Sequence, residues 1–139
     1  MDQDFVFEFS ERFDNLFLQS VYENDILYAQ QMFEEVYMML TSFLARTQLS
    51  FEELNWEECA HRLHQLKGHL GYIGQTKLRE CVEQLRKQLL EDTVNASAVI
   101  IIYLQIQLSL LSLMPSIHAE INRMELYLDT HSPHVIWNF

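Results

Sequence analysis

NWEECAHRLHQLKGHLGYIG, residues 55–74, is the stretch that decides the fold. Its apolar residues Trp56, Cys59, Leu63, Leu66, Leu70 and Ile73 recur at steps of three and four, the spacing of one helical face. Asn55 and Glu58 stand at capping-box spacing at its start, and Gly74 with Gln75 supplies the turn that ends it. Beyond that turn, Leu78, Cys81, Leu85 and Leu89 mark a fourth helix. Upstream, Asn24 is a cap for a helix striped by Ile26, Ala29, Phe33, Val36, Leu40 and Phe43 and expected to end near Arg46. Ser50 and Glu53 offer a second capping-box spacing. Residues 10–22 predict a short amphipathic helix with Phe13, Leu16, Phe17 and Val21 on one side.

Asn95 is a cap for the last long helix, striped by Val99, Ile102, Ile106, Leu110, Leu113, Ile117, Ile121, Met124 and Leu128. The stripe keeps its register across Pro115, so one kinked helix is expected. The tail, residues 129–139, has no clear period; Trp137 and Phe139 are candidates for packing on the bundle, on a neighbour, or for disorder. The fold class expected is all-α: an antiparallel four-helix bundle with a short N-terminal helix and a long, Pro-kinked C-terminal helix. It forms one domain over residues 1–139, with its core over about 10–128.

Composition agrees with this reading. Of 139 residues, 49% are apolar, enough for a sizeable core, and only three glycines and two prolines occur. Both prolines lie late, at Pro115 and Pro133, which leaves the earlier chain clear for long helices. The start, Met1-Asp2-Gln3-Asp4, is acidic rather than basic, so no export signal is expected and the protein is placed in the cytoplasm. The most apolar run, Val99 to Met114, is short for a membrane span and is interrupted by Gln105, Gln107, Ser109 and Ser112; it reads as a buried helix, not a membrane insertion. Cys59 and Cys81 fall at core-facing positions and are expected to be structural thiols.

The net charge of −11 argues against nucleic acid as a partner. The charge is unevenly spread. Arg62, Lys67, Lys77, Arg79, Arg86 and Lys87 face only Glu80 and Glu83 in their own window, making a basic island in an acidic chain. Such an island is either a solvated helical face or a surface for an anionic partner.

The chemistry concentrates within residues 61–74. With Leu63 set at 0° and about 100° per residue, the core residues Leu66, Leu70, Cys59 and Trp56 cluster near 0°. On the same scale Lys67 lies near roughly 40°, Gly71 near 80°, His64 near 100° and Gly68 near 140°. His64 therefore stands beyond the apolar stripe, flanked by a lysine and two residues without side chains. A glycine within a helix costs about 1 kcal/mol relative to alanine, so two beside one histidine need a reason. Close helix packing is one, and Gly74 fits it as a C-cap; Gly68 points away from the core, where it opens access to the histidine instead. Lys67, one turn after His64, is placed to hold an anionic oxygen. An imidazole with the ordinary pKa of about 6.5 is substantially neutral near neutral pH, as a nucleophile must be. Phosphoryl transfer needs mainly positioning and charge stabilisation, which so few groups can supply.

His64-Gln65-Leu66-Lys67-Gly68, followed by Gly74, resembles the His-x-Leu-Lys-Gly signature of histidine-containing phosphotransfer (HPt) domains. Asn55-Trp56, the region of Ala60, and Leu78, Cys81 and Leu85 look like the family pattern around it, as do Tyr22-Glu23-Asn24-Asp25, Tyr28-Ala29 and Met32-Phe33 upstream. The likeness runs over roughly residues 10–112. It implies that His64 accepts a phosphoryl group, Lys67 stabilises it and Gly68 gives access. The implied partner is the receiver domain of a response regulator, of a hybrid histidine kinase, or of both. The bundle is then a relay intermediate rather than an enzyme; it needs no cofactor, and magnesium is expected on the receiver. The absence of a Walker-type phosphate loop fits a chain without its own nucleotide site. His61, Gly71 and Arg86 are further candidates at the docking face. The sequence departs from the family at His69 and Leu70, often Ser or Ala, and at Arg86, often Gln or Glu that orients the histidine. Arginine cannot accept the imidazole proton, so contact with the phosphoryl group is the alternative for Arg86.

Two rivals are weighed. His61 and His64 have a spacing that zinc can use, but no Cys or carboxylate joins them on that face, so no metal is expected. A helical module that binds a signalling regulator without being phosphorylated is the alternative function. No nucleophile–base–orienter set is evident, and His118, His131 and His134 have no obvious partners.

Overall fold

A computed structural model describes residues 6–131, and these form five helices with no strand among them. They are α1 (Asn15–Tyr22), α2 (Ile26–Glu52), α3 (Trp56–Gly71), α4 (Thr76–Leu89) and α5 (Ala96–His131). Trp137 and Phe139 lie outside the described residues.

Four of the five helix starts carry side-chain caps; α4, which follows Gln75, has none. Asp14 accepts from Phe17 N, Asp25 from Tyr28 N, Asn55 from Glu58 N and Asn95 from Ala98 N, all at 3.1–3.2 Å. Asn55 and Asn95 are the caps expected from sequence. Asn24 is not a cap: it takes a left-handed conformation (φ 62°), and its side chain accepts instead from Phe7 N. The neighbouring Asp25 does the capping. Ser50 is not a cap either, because α2 continues past Arg46 to Glu52 and carries Ser50 inside its last turns.

Around the core, α2 packs on α3 and α5, and α4 packs on the same two helices. Leu63, Leu66 and Leu70 of α3, Leu40 of α2, Leu85 of α4 and Leu110 of α5 are fully buried between them. Complete burial of each such side chain contributes about 1.5–3 kcal/mol.

Several expected faces shift. Residues 10–14 precede α1 rather than belonging to it. With the helix starting at Asn15, the face it buries is Leu18 and Tyr22, one turn apart, and Leu16 is left 82% exposed, with Phe17 and Val21 also at the surface. On α4, Val82 rather than Cys81 faces inward, so Cys81 is an exposed free thiol and only Cys59 is a buried one. The last helix is continuous through Pro115 to His131, and its core face runs through Tyr103 and Glu120 while Ile102 and Ile121 are only half-buried. It is not a buried helix all round: by length and composition alone it is apolar enough to cross a membrane, yet one face is core and the opposite face is exposed.

The segment before α1 adds core that the expected boundaries leave out. Phe7, Phe9 and Phe13 are buried; Phe9 and Phe13 pack against Phe33 with ring centroids 5.8 and 5.3 Å away. The second half of α5 pins this segment. Glu120 accepts from Ser10 N at 2.8 Å and pairs with Arg123 at 2.6 Å; Arg123 donates to Glu8 O at 2.9 Å and lies over the Phe7 ring.

Candidate functional site

Because Cys59, Leu63, Leu66 and Leu70 fix the inner face of α3, the outer face presents His61, His64 and Gly68 to solvent. His64 makes no hydrogen bond to the described residues and lies midway along the helix, so its imidazole is open to a partner. A Cβ at Gly68 would meet nothing within 4 Å. That glycine is therefore not required by internal packing, and the space beside His64 is free.

Gly71 differs. A Cβ there would lie 3.6 Å from the Arg79 guanidinium, an ordinary contact, and Arg79 donates through Nε to Lys67 O at 3.0 Å. Arg79 of α4 thus lies against α3 beside Gly71, where a side-chain carbon would also fit. Gly74 serves the fold: its φ is +66°, and a Cβ would come within 3.1 Å of Asp14 N and of the Leu18 side chain. Tyr22 ties the same corner by donating from its hydroxyl to Tyr72 O at 2.6 Å.

Lys67 and Arg86 are brought together by a residue whose role sequence reading did not identify. Glu83 of α4 accepts from Lys67 Nζ at 3.2 Å and takes both the Nε and a terminal nitrogen of Arg86 at 2.9 Å. The paired Arg86 and Lys67 cations pull the Glu83 carboxyl down to about 2, against partial desolvation, and the carboxylate in turn raises Arg86. This three-charge cluster joins α3 to α4. The Glu83–Arg86 pair is legible as a three-residue helical step, whereas the Lys67 contact spans two helices and has no sequence period. With its Nε and one terminal nitrogen engaged by Glu83, Arg86 makes no hydrogen bond to His64.

A groove of about 370 Å³ opens beside the cluster, bordered by Lys67, Arg79, Glu83 and Lys87. His64 does not line it; it stands on the exposed face of α3. His61 is exposed. His69 is turned back on its own helix, with Nδ1 2.9 Å from Gln65 O. Among the described residues no group of three or more His, Cys, Asp or Glu that could hold a metal ion is found. The Cys59 thiol, buried in the core, is pushed up to about 12 and is inert as a nucleophile. His118 and His131 do have neighbours: His118 lies beside Tyr37, and His131 stacks on Tyr127 at 4.4 Å. His134 lies outside the described residues.

The arrangement provides an exposed imidazole, a cation one helical turn away, and open space at Gly68. No curated protein and no solved structure matches the chain significantly. A family model described as the Hpt domain matches residues 28–124, most of the chain. The chain therefore belongs to the Hpt domain family, whose members carry phosphoryl groups on histidine in phosphorelays.

Proposed function

We propose that this protein accepts a phosphoryl group on His64 from a receiver-domain aspartate and donates it to another receiver. The observation that carries this reading is the open His64 imidazole, with Lys67 one turn on and empty space at Gly68. Helices α2–α5 are read as the antiparallel four-helix bundle that holds α3 outward.

In the forward step a lone-pair nitrogen of neutral His64 attacks phosphorus. The P–N bond forms as the P–O bond to the aspartate breaks, and the carboxylate leaves with the electron pair. Lys67 has three ammonium donors. It can keep Glu83 on one and offer another to a phosphoryl oxygen. Arg86, held by Glu83, keeps a second cation nearby. Gly68 lets the receiver close on the histidine, while Gly71 and His61 lie at the docking face. The magnesium of the reaction is expected in the receiver's acidic pocket. The partners proposed are a response-regulator receiver, a hybrid-kinase receiver, or both, met in the cytoplasm.

The test is direct labelling. Wild type and His64→Gln are incubated with a phosphorylated receiver and, separately, with phosphoramidate, then examined by intact mass and peptide mapping. The expected result is an acid-labile, alkali-stable adduct on His64 in wild type alone. Labelling of His64→Gln would overturn the assignment. A folded wild type that stays unlabelled by a donor active on a control would leave the passive interaction module.

A further inference from the structure

Apart from the relay site, the outer face of α5 carries an unpartnered seam. Ile101, Leu104, Leu108 and Leu111 are 57, 48, 67 and 50% exposed, although each is a large aliphatic side chain. Their spacing of three, four and three residues is a heptad seam. At about 100° per residue the seam lies roughly opposite the face that buries Tyr103, Ile106 and Leu110.

We propose that this seam is an interface for a second copy of the chain, with the two α5 helices packed antiparallel. Three observations select that occupant. First, the seam is symmetric about residue 106: a two-fold axis there sets Ile101 against Leu111 of the second copy and Leu104 against its Leu108. That is the self-complementarity an isologous contact requires. Second, no Asp, Glu, Lys or Arg occurs over residues 93–119, and this uncharged run is centred on the same residue 106. Antiparallel pairing overlays the run on itself and leaves the acidic flanks outside. In a chain of net charge −11, most other surfaces would repel a second copy. Third, the surroundings disfavour a lipid surface. Helices that lie on membranes carry Lys and Arg along their polar face, and this stretch has none. Anionic lipid would also repel the acidic chain.

The interface is small. A helix about 10 Å wide in contact over residues 97–115 covers a strip of roughly 300 Å², against about 800 Å² a side for a standard stable complex. The association is therefore reversible and concentration-dependent. α5 packs on α2 and α4, so the pairing leaves the outer face of α3, with His64, free for a receiver.

Sedimentation velocity across a wide protein concentration range tests this. The weight-average mass of wild type is expected to rise from the 16.6 kDa monomer towards twice that value. Leu108→Glu, which places a charge in the seam at an exposed position, is expected to stay monomeric with unchanged helical circular dichroism. Leu16→Glu, at an exposed leucine elsewhere, is expected to self-associate like wild type. Orientation is read by mixing Leu104→Cys and Leu108→Cys proteins, both in a Cys81→Ser background, under mild oxidation. Antiparallel pairing predicts an excess of the mixed disulfide over either homodisulfide. A wild type that is monomeric at every concentration, self-association untouched by Leu108→Glu, or an excess of homodisulfides would overturn the proposal. So would monomeric wild type that floats with phosphatidylcholine–phosphatidylserine vesicles.

Discussion

Gly68 separates stability from recognition more cleanly than any other residue near His64. Its backbone is helical, and a methyl group there would meet nothing within 4 Å. Gly68→Ala is therefore expected to raise the stability of the isolated protein by about 0.5–1 kcal/mol, the helix-propensity difference. It is also expected to slow transfer from a phosphorylated receiver while sparing labelling by phosphoramidate, which needs no large surface to approach. Denaturant melts and the two labelling rates check both halves; equal slowing with both donors would remove access as its role. Glu83 poses the converse case. Its carboxyl is lowered from the ordinary 4.5 to about 2 by Arg86 and Lys67, so the cluster stabilises the fold above about pH 4.5 and loses that contribution as pH falls towards 2. Glu83→Gln is expected to melt lower than wild type at neutral pH, by no more than about 1 kcal/mol for each partly exposed pair. The gap is expected to close between about pH 4.5 and 2 in melts of the two proteins; a gap independent of pH would show that charge is not the cause. His64, Lys67 and Gly68 were legible in the sequence because one helix carries all three. The role of Glu83 was not, because its contact with Lys67 crosses from α4 to α3.

Among the elements, the strong apolar periods mark the existence of α2 to α5 but not every boundary or buried face, and they miss the N-terminal segment. Its signal was there: Val6, Phe7, Glu8 and Phe9 alternate between exposed and buried, the period of an extended chain rather than of a helix. The alternation is too short to stand out, and its buried side chains find their partners in α2 and in α5, the latter more than a hundred residues later. The α5 helix continues past Pro115. Its second half supplies Glu120, nearly fully buried, which satisfies Ser10 N and holds Arg123 over Phe7. Glu120→Ala removes the acceptor for one backbone donor and the partner of one cation, and is expected to destabilise the protein by about 1–3 kcal/mol. Hydrogen exchange is expected to accelerate first at the amides of residues 7–10, since local opening follows the loss of local ties. Uniform acceleration across α2–α5 would show that Glu120 supports the bundle as a whole. Cys81 and Val82 show a subtler limit. Either residue continues the Leu78–Leu85 stripe within a turn, so periodicity alone could not choose between them; packing chose the branched, apolar Val82.

At the scale of the whole molecule, the basic island is smaller in effect than in composition. Arg62 is paired with Glu58, and Lys67 and Arg86 share Glu83, so three of its six cations are ion-paired and two of those three charges are offset. Lys77 and Lys87 are exposed and form no ion pair among the described residues, and Lys87 borders the groove beside Lys67. In the proposed function these two lysines, with Arg79 at the same groove as Lys87, contribute to the field that an acidic receiver pocket meets on approach. Fields from exposed charges act mainly on association rate and are screened beyond about 8 Å at physiological salt. Lys87→Glu is accordingly expected to slow association with a receiver several-fold at low salt, with the deficit shrinking as salt is raised. Arg62→Glu is expected to have a smaller effect, because the wild-type arginine is already compensated. Stopped-flow association at several ionic strengths measures this, with phosphoramidate labelling as the control for an intact His64. If Lys87→Glu slowed labelling by the small donor as much as association with the receiver, the lysine would act on the histidine itself. If neither rate changed, docking would rest on the shape and apolar contacts around α3, and the charge asymmetry of the chain would have no part in finding the partner.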